Sequence, residues 1–213
     1  LITDRYGRRY ADENIRNHEF LYDMAVFDSK KLLYPRVPSY WVFDQKRLDS
    51  GALTAPMKTP KPKPENIYDW SADNRVEIDR GWIKQGDTVR DLAGKIGVDP
   101  GALADTVRKY NAACGNGEDG EFGRAPSTLL PLVNPPYYAV ELWPGGLNTM
   151  GGPRRTARAE VIRADGDPIP RLFAAGELGS VYGMVYPGSG GNLAECIAFG
   201  RIAGENAAGC KPL

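Results

Sequence analysis

Apolar positions recur at helical spacing through the middle of the chain. In "GDTVRDLAGKIGVDPGALADTVRKYNAAC" two helices follow in tandem, and Leu103, Val107 and Tyr110 mark one face of the second. Thr88 with Asp91 makes a capping-box-like start. Asp99 before Pro100 puts an N-cap acid ahead of a proline at the first helical position. This pair reads as a packed helical lobe. Upstream, "LITDRYGRRYADE" reads as a strand, a Tyr-Gly turn and a second short extended piece. Lys58 to Pro64, "KTPKPKP", alternates Pro with Lys or Thr and predicts an extended, solvated connector. "GNGEDGEFGR" is a polar, turn-rich loop.

From Pro135 onward the period shortens to two. "YYAVELW" predicts a strand. "AEVIRADGDPIPRLFAAGE" predicts a strand, an Asp-Gly hairpin turn, and an apolar strand, parallel in its sheet, ending in Ala174, Ala175, Gly176 and Glu177. The last element, "GGNLAECIAFGRIAGENAAG", is a small-residue helix. Asn192 can cap it, Glu195 is its capping-box partner, and Gly209 suits a left-handed residue after its end. Gly200 and Gly204 share one face. Glycines there cost about 0.5–1 kcal/mol each in helix propensity and predict close approach of another backbone.

Composition narrows the function. The 213 residues are 42% hydrophobic, enough for a sizeable core. The 27 basic residues balance the 27 acidic ones, so no net field attracts nucleic acid or an anionic membrane. Apolar runs fall well short of the roughly 18 residues a span needs. Cys114, Cys196 and Cys210 are odd in number and widely spaced, which fits reduced thiols and a cytoplasmic setting. His18 is the single histidine, so a multi-histidine metal centre is set aside. Arg154 and Arg155 read as decoration of a strand edge.

Candidate chemistry gathers near the C-terminus. Gly188, Gly190 and Gly191 free the backbone to aim N–H groups at a ligand, and the following helix adds its positive dipole end. "RLFAAGE" brings an acid, Glu177, that can hydrogen-bond a sugar-alcohol chain. The two elements together suggest a flavin.

"PPYYAVELWPGGLNTMGG", "DGDPIPRLFAAGE" and "GGNLAECIAFGRIAG", in that order, resemble the C-terminal part of the flavoproteins that group soluble fumarate reductases, urocanate reductases and 3-ketosteroid Δ1-dehydrogenases. The tandem helices resemble that family's substrate-capping domain, and "DRYGRRYADE" its Asn-Arg-x-Gly-x-Arg-Phe-x-Asn-Glu segment. The resemblance implies an α/β fold: an α+β cap over residues 1–143, then the C-terminal strands and helix of a Rossmann-like FAD domain over 144–213. It implies FAD as cofactor, with Gly176, Glu177, Ser189, Gly190, Gly191, Asn192 and Leu193 toward the ribityl chain and flavin edge. The family's N-terminal Gly-x-Gly-x-x-Gly strand-turn-helix, which holds the adenosine diphosphate half of FAD, has no counterpart here; the one run of that spacing, Gly115 to Gly120, follows a helix in the polar loop. The expected partner is therefore an N-terminal FAD-binding portion, on a separate chain or removed.

For substrate, the resemblance divides. Fumarate reductases carry His and Arg where this chain has Asn148 and about Gly188. The Δ1-dehydrogenases carry Tyr-Pro-Gly-x-Gly, matched by Tyr186 to Gly190. There the tyrosine hydroxyl and the second glycine's N–H polarise a ketone, as stabilising an enolate-like oxygen requires. Tyr186 and Gly190 are thus expected to face a largely uncharged, steroid-like ketone, with Asn148 and Arg16 lining the substrate site. "ENIRNHE" lacks the tyrosine that those dehydrogenases usually carry there. Arg47 lies one residue from the proton-donating arginine of fumarate reductases, and reads either as that donor or as a surface arginine. The alternatives to the ketone oxidoreductase are a fumarate- or urocanate-type ene-reductase and a non-catalytic fragment needing its missing half.

Overall fold

A computed structural model describes residues 1–14, 17–54, 68–145, 150–183, 188 and 190–211, without the side chains of 17–19. The chain divides into two compact units, Leu1–Pro144 and Gly145–Leu213.

In the first unit the order is β1 (Ile2–Thr3), α1 (Asn17–Met24), β2 (Ser39–Asp44), α2 (Gln45–Asp49), α3 (Arg75–Asp79), β3 (Ile83–Gly86), α4 (Val89–Lys95), α5 (Pro100–Asn116), a 3₁₀ turn at Pro126–Thr128, and β4 (Tyr137–Leu142). The strands form one antiparallel sheet in the order β1-β2-β4-β3. Alternation along β2 splits its side chains between two cores. Tyr40 and Val42 face Leu92, Leu103, Val107 and Tyr110 of α4 and α5. Phe43 faces Leu53, Ile83 and Tyr138 on the other side, with the Phe43 and Tyr138 rings stacked 5.6 Å apart.

The tandem helices start as their caps predict. Thr88 Oγ1 accepts the Asp91 N–H at 3.0 Å, and Asp99 Oδ1 accepts the Ala102 N–H at 2.6 Å. Asp91 reaches back to the Asp87 N–H at 3.1 Å, one residue before the cap. Two glycines let these helices approach β3 and the N-terminal turn. A Cβ on Gly86 would lie 2.4 Å from the Leu92 nitrogen, and one on Gly7, at φ +74°, would lie 2.8 Å from Val98 Cγ1. Arg9, 98% buried in its side chain, ties the N-terminal segment to the loop after α5. It donates to both Glu13 oxygens at 2.9 Å and to Asp119 at 3.0 and 2.8 Å, while Arg124 also reaches Glu13 at 3.1 Å. The second extended piece expected after the Tyr-Gly turn forms no strand; residues 8–10 are irregular.

The second unit holds β5 (Glu160–Ile162), β6 (Pro168–Phe173) and α6 (Gly191–Ala208). β5 and β6 pair antiparallel across the Asp165-Gly166 turn. The strand expected to run to Glu177 therefore stops at Phe173, and it pairs antiparallel because its described neighbour arrives through a short hairpin turn closed by Arg163 and Asp167. Among the described residues a single parallel bridge, Gly151 to Leu178, extends the pattern. The ends of α6 also differ from expectation. Gly190, at φ +88°, is its N-cap and Asn192 is already helical. Gly209 is right-handed, at φ −76°. A Cβ on Gly200 or Gly204 would meet nothing within 4 Å among the described residues, so no described backbone of this unit takes up their close-approach face.

Candidate functional site

Two glycine-rich loops of the second unit lie backbone against backbone. The Gly151 N–H donates to the Glu177 carbonyl at 3.3 Å, and the Gly179 N–H returns to the Gly151 carbonyl at 2.8 Å. Side chains are excluded from this contact. A Cβ on Gly179, at φ +83°, would sit 2.4 Å from the Pro153 carbonyl oxygen. Gly152, Arg154, Ser180 and Val181 are among the residues lining a cavity of about 330 Å³ beside it.

Arg155 locks this arrangement, contrary to its expected place on a strand edge. Its side chain is 2% exposed and pairs with Glu195 of α6, itself 1% exposed. The Nη1 group donates to the carbonyls of Ala174, Gly176 and Leu178 at 3.2–3.4 Å, and the guanidinium lies 4.1 Å from the Phe199 ring centroid. Glu195 also accepts the Val181 N–H at 2.7 Å and the Ser180 hydroxyl at 3.0 Å. It therefore serves the neighbouring loop rather than the helix's own first turn. Gly176 brings α6 close: at φ +69°, a Cβ there would lie 2.8 Å from Cys196 Sγ.

These contacts deliver Glu177 to the start of α6, where the Asn192 side-chain amide donates to its carboxylate. The Oδ1 of Asn192 is buried with no hydrogen-bond partner among the described residues. Buried acceptors are normally satisfied, so this one calls for a donor from outside the described chain. Helix α6 begins without a side-chain cap, leaving first-turn N–H groups and the positive dipole end for an electron-rich group. Cβ atoms on Gly188 and Gly190 would meet nothing within 4 Å among the described residues, so these two positions present bare backbone. An acid, an orphaned acceptor and an uncapped helix start fit a ligand with hydroxyls and a polar ring edge, such as the ribityl and pyrimidine portions of a flavin.

Of the residues singled out from sequence, Gly176, Glu177, Gly190, Gly191 and Asn192 fall around this one loop junction, and Leu193 is 70% exposed on the first turn of α6. Tyr186, Ser189, Asn148 and Arg16 lie outside the described residues. Arg47 belongs to the first unit, on α2. Its guanidinium folds onto the end of that helix, donating to Ser50 Oγ at 2.9 Å and to the Gly51 and Ala52 carbonyls at 3.2 and 3.3 Å. It lies 5.3 Å from the Trp41 ring centroid, and burial lowers its pKa below the usual arginine value. Arg155 and Glu195 were missed. The available signal was a lone acid in the otherwise apolar "NLAECIAFG".

The chain matches the family model for the FAD binding domain over residues 4–193. It is 31% identical to digoxin reductase of Eggerthella lenta over 100% of this chain and 35% of that protein. It is 42% identical to NADH:acrylate oxidoreductase of Vibrio harveyi over 97% of this chain and 18% of the other. Among solved structures it resembles the 3-ketosteroid Δ1-dehydrogenase from Sterolibacterium denitrificans in complex with 1,4-androstadiene-3,17-dione. The TM-score there is 0.74 at 27% identity, covering 99% of this chain and 39% of that one. The chain thus spans between about a fifth and two-fifths of these relatives' length. No helix among the described residues is long and apolar enough to cross a membrane.

Proposed function

The chain belongs to the FAD binding domain family, and we propose that it is part of an FAD-dependent oxidoreductase acting on a carbon–carbon bond beside a carbonyl, with a largely uncharged ketone as substrate. The observation that carries this reading is the junction of Glu177 with Asn192 at the uncapped start of α6. When bound there, FAD supplies two-electron, hydride-level redox chemistry. Glu177 accepts hydrogen bonds from the ribityl hydroxyls. The loop backbone from Ser189 to Leu193 would face the pyrimidine edge, with the Asn192 and Leu193 N–H groups toward it while the Gly191 N–H bonds the Gly188 carbonyl, and the helix dipole would favour negative charge there on reduction by about 0.3–2 kcal/mol.

The residues of the Tyr-Pro-Gly-Ser-Gly run take the substrate end. The Tyr186 hydroxyl and the Gly190 N–H donate to the ketone oxygen and acidify the neighbouring C–H. Asn148 and Gly188 offer no cation to a dicarboxylate, and Asn148 and Arg16 complete the lining. Residues 1–143 serve as the substrate cap and 144–213 as the C-terminal segment of the FAD domain. The adenosine diphosphate half needs a pyrophosphate seat at a glycine-rich βα turn, which another segment or companion chain supplies. The open Gly200–Gly204 face of α6 supports such a neighbour. Three unpaired cysteines among the described residues support the cytoplasm as the compartment.

A second reading, an acrylate-type ene-reductase with Arg47 as proton donor, is favoured by the 42% identity to the acrylate oxidoreductase. Assays of the complete flavoprotein separate the two. Dye-coupled oxidation of a 3-ketosteroid exceeding reduction of fumarate or acrylate supports the ketone reading; the reverse ratio supports the acid.

A further inference from the structure

In the first unit, a cavity of about 400 Å³ opens at the β3 end of the sheet, lined by Tyr40, Trp70, Trp82, Lys84, Ile96 and Glu141 among others. Register places three polar side chains on the same face of adjacent strands. Tyr40 on β2 stands directly opposite Glu141 on β4, and Lys84 on β3 stands opposite Ala139, two residues before Glu141. Opposite residues have Cβ atoms about 4.5–5.5 Å apart and diagonal ones about 7–8 Å. Lys84 and Glu141 are thus neighbours that leave room between them, and no ion pair joins them. Tyr40 is 93% buried, being 7% exposed, and its hydroxyl makes no hydrogen bond among the described residues. Burial first and the Glu141 charge second raise its pKa, so it stands as a protonated donor at neutral pH.

The apolar wall is held in place as well. Trp70 donates its indole N–H to Asn74 Oδ1 at 2.8 Å. Trp82 is 45% exposed and is braced by Tyr68, 4.8 Å away edge-on, and by the Arg80 guanidinium 5.0 Å from its ring centroid. Glu141 is oriented by the Trp143 indole N–H at 3.1 Å through Oε2, which leaves its other oxygen for a ligand. A separated cation and anion, an unpartnered hydroxyl and two tryptophans form the usual composition of a small-molecule site: apolar walls with a few convergent polar groups.

We propose that this cavity binds a small zwitterion, an α-amino acid with an aromatic side chain. The carboxylate meets Lys84 and the Tyr40 hydroxyl, the ammonium meets Glu141, and the ring lies against Trp82 and Trp70. A plain aromatic acid leaves Glu141 unpaired beside its own negative charge, and an aromatic amine leaves Lys84 unpaired beside its positive one. Like-charge juxtaposition of this kind is what gives a charged pocket its selectivity.

The test is calorimetric titration of the complete flavoprotein with L-phenylalanine and L-tryptophan, alongside phenethylamine and 3-phenylpropionate. Binding of at least one amino acid is expected, with each singly charged analogue weaker by about tenfold or more. Lys84→Met should weaken the amino acid by a similar factor while leaving phenethylamine no weaker, and Glu141→Gln should do the converse for phenylpropionate. A thermal melt run with each variant separates loss of folding from loss of the site. No heat from either amino acid at about millimolar concentration, the threshold for about −4 kcal/mol of binding, would overturn the proposal. So would amino-acid binding indifferent to both substitutions.

Discussion

Arg155 and Glu195, forty residues apart in sequence, form an ion pair in which both side chains are at least 98% buried. The pair fastens helix α6 to the carbonyls of the loop that presents Glu177. Removing one partner leaves an uncompensated charge in the interior. Arg155→Met should cost about 3–5 kcal/mol, whereas Arg155→Met with Glu195→Leu should cost clearly less than the two single changes summed. Urea unfolding of the four members of this cycle measures the coupling, and additive losses would contradict the buried pair.

Gly176 supplies a second check on the same junction. Its φ of +69° and its 2.8 Å Cβ distance to Cys196 Sγ make Gly176→Ala both strained and overpacked. A loss of about 1–3 kcal/mol is expected, read as a lowered melting temperature. Adding Cys196→Ala, which removes the sulfur without a helix-breaking glycine, should recover the steric part and leave the backbone part. A double variant no better than Gly176→Ala would show that the contact with the sulfur does not matter.

The first unit carries an acid-sensitive tie. The Arg9 guanidinium holds Asp119 down at about 2, from an ordinary value of 3.8. Glu13 is also lowered; burial opposes this, but hydrogen bonding from Arg9 and nearby positive charge prevail. A depressed carboxylate contributes stability that is complete above its unfolded pKa and lost as pH falls through the folded one. The Asp119 contribution is therefore present above about pH 4 and fades toward pH 2. Asp119→Asn should lower stability at pH 7 and flatten its decline between those limits, in denaturant melts across the range. An unchanged slope would mean that Asp119 titrates as an ordinary acid.

Gly200 takes a role that depends on its neighbour. Since a side chain there meets nothing within 4 Å in the described residues, Gly200→Val should leave the melting of the isolated 213-residue chain nearly unchanged. In the complete flavoprotein, where a second backbone is proposed on that face, the same change should reduce FAD retention. Equal effects in both settings would remove the docking role of this face.

Much of the helical lobe was legible because its signals are local. Thr88 and Asp99 cap the helices that follow them by accepting the N–H three residues ahead, and Leu103, Val107 and Tyr110 lie within about two turns. Strand β4 announced itself by alternation. Strand β2, "SYWVFD", did not, since both of its faces are buried, in different cores, and the run reads as uniformly apolar. The end of β6 and the cap of α6 were misplaced for a different reason. Gly176 and Gly190 adopt positive φ, and a glycine's sequence says only that such a turn is allowed. The Arg9–Asp119 and Arg155–Glu195 pairs were invisible because nothing local marks a charge for burial. At the candidate site, the glycine loop and Glu177 were legible as a ligand-facing pair. Their coupling through Asn192 was not, because Asn192 reads first as a cap.

The account rests on Glu177 and the start of α6 as one half of an FAD site, and titrating FAD into the apo form of the complete flavoprotein, wild type against Glu177→Ala, tests it most directly. Loss of a charged hydrogen-bonding partner to the ribityl chain should weaken FAD by about 10–100-fold, with Asn192→Ala intermediate and secondary structure by circular dichroism retained. Equal FAD affinity in wild type and Glu177→Ala would contradict the site described.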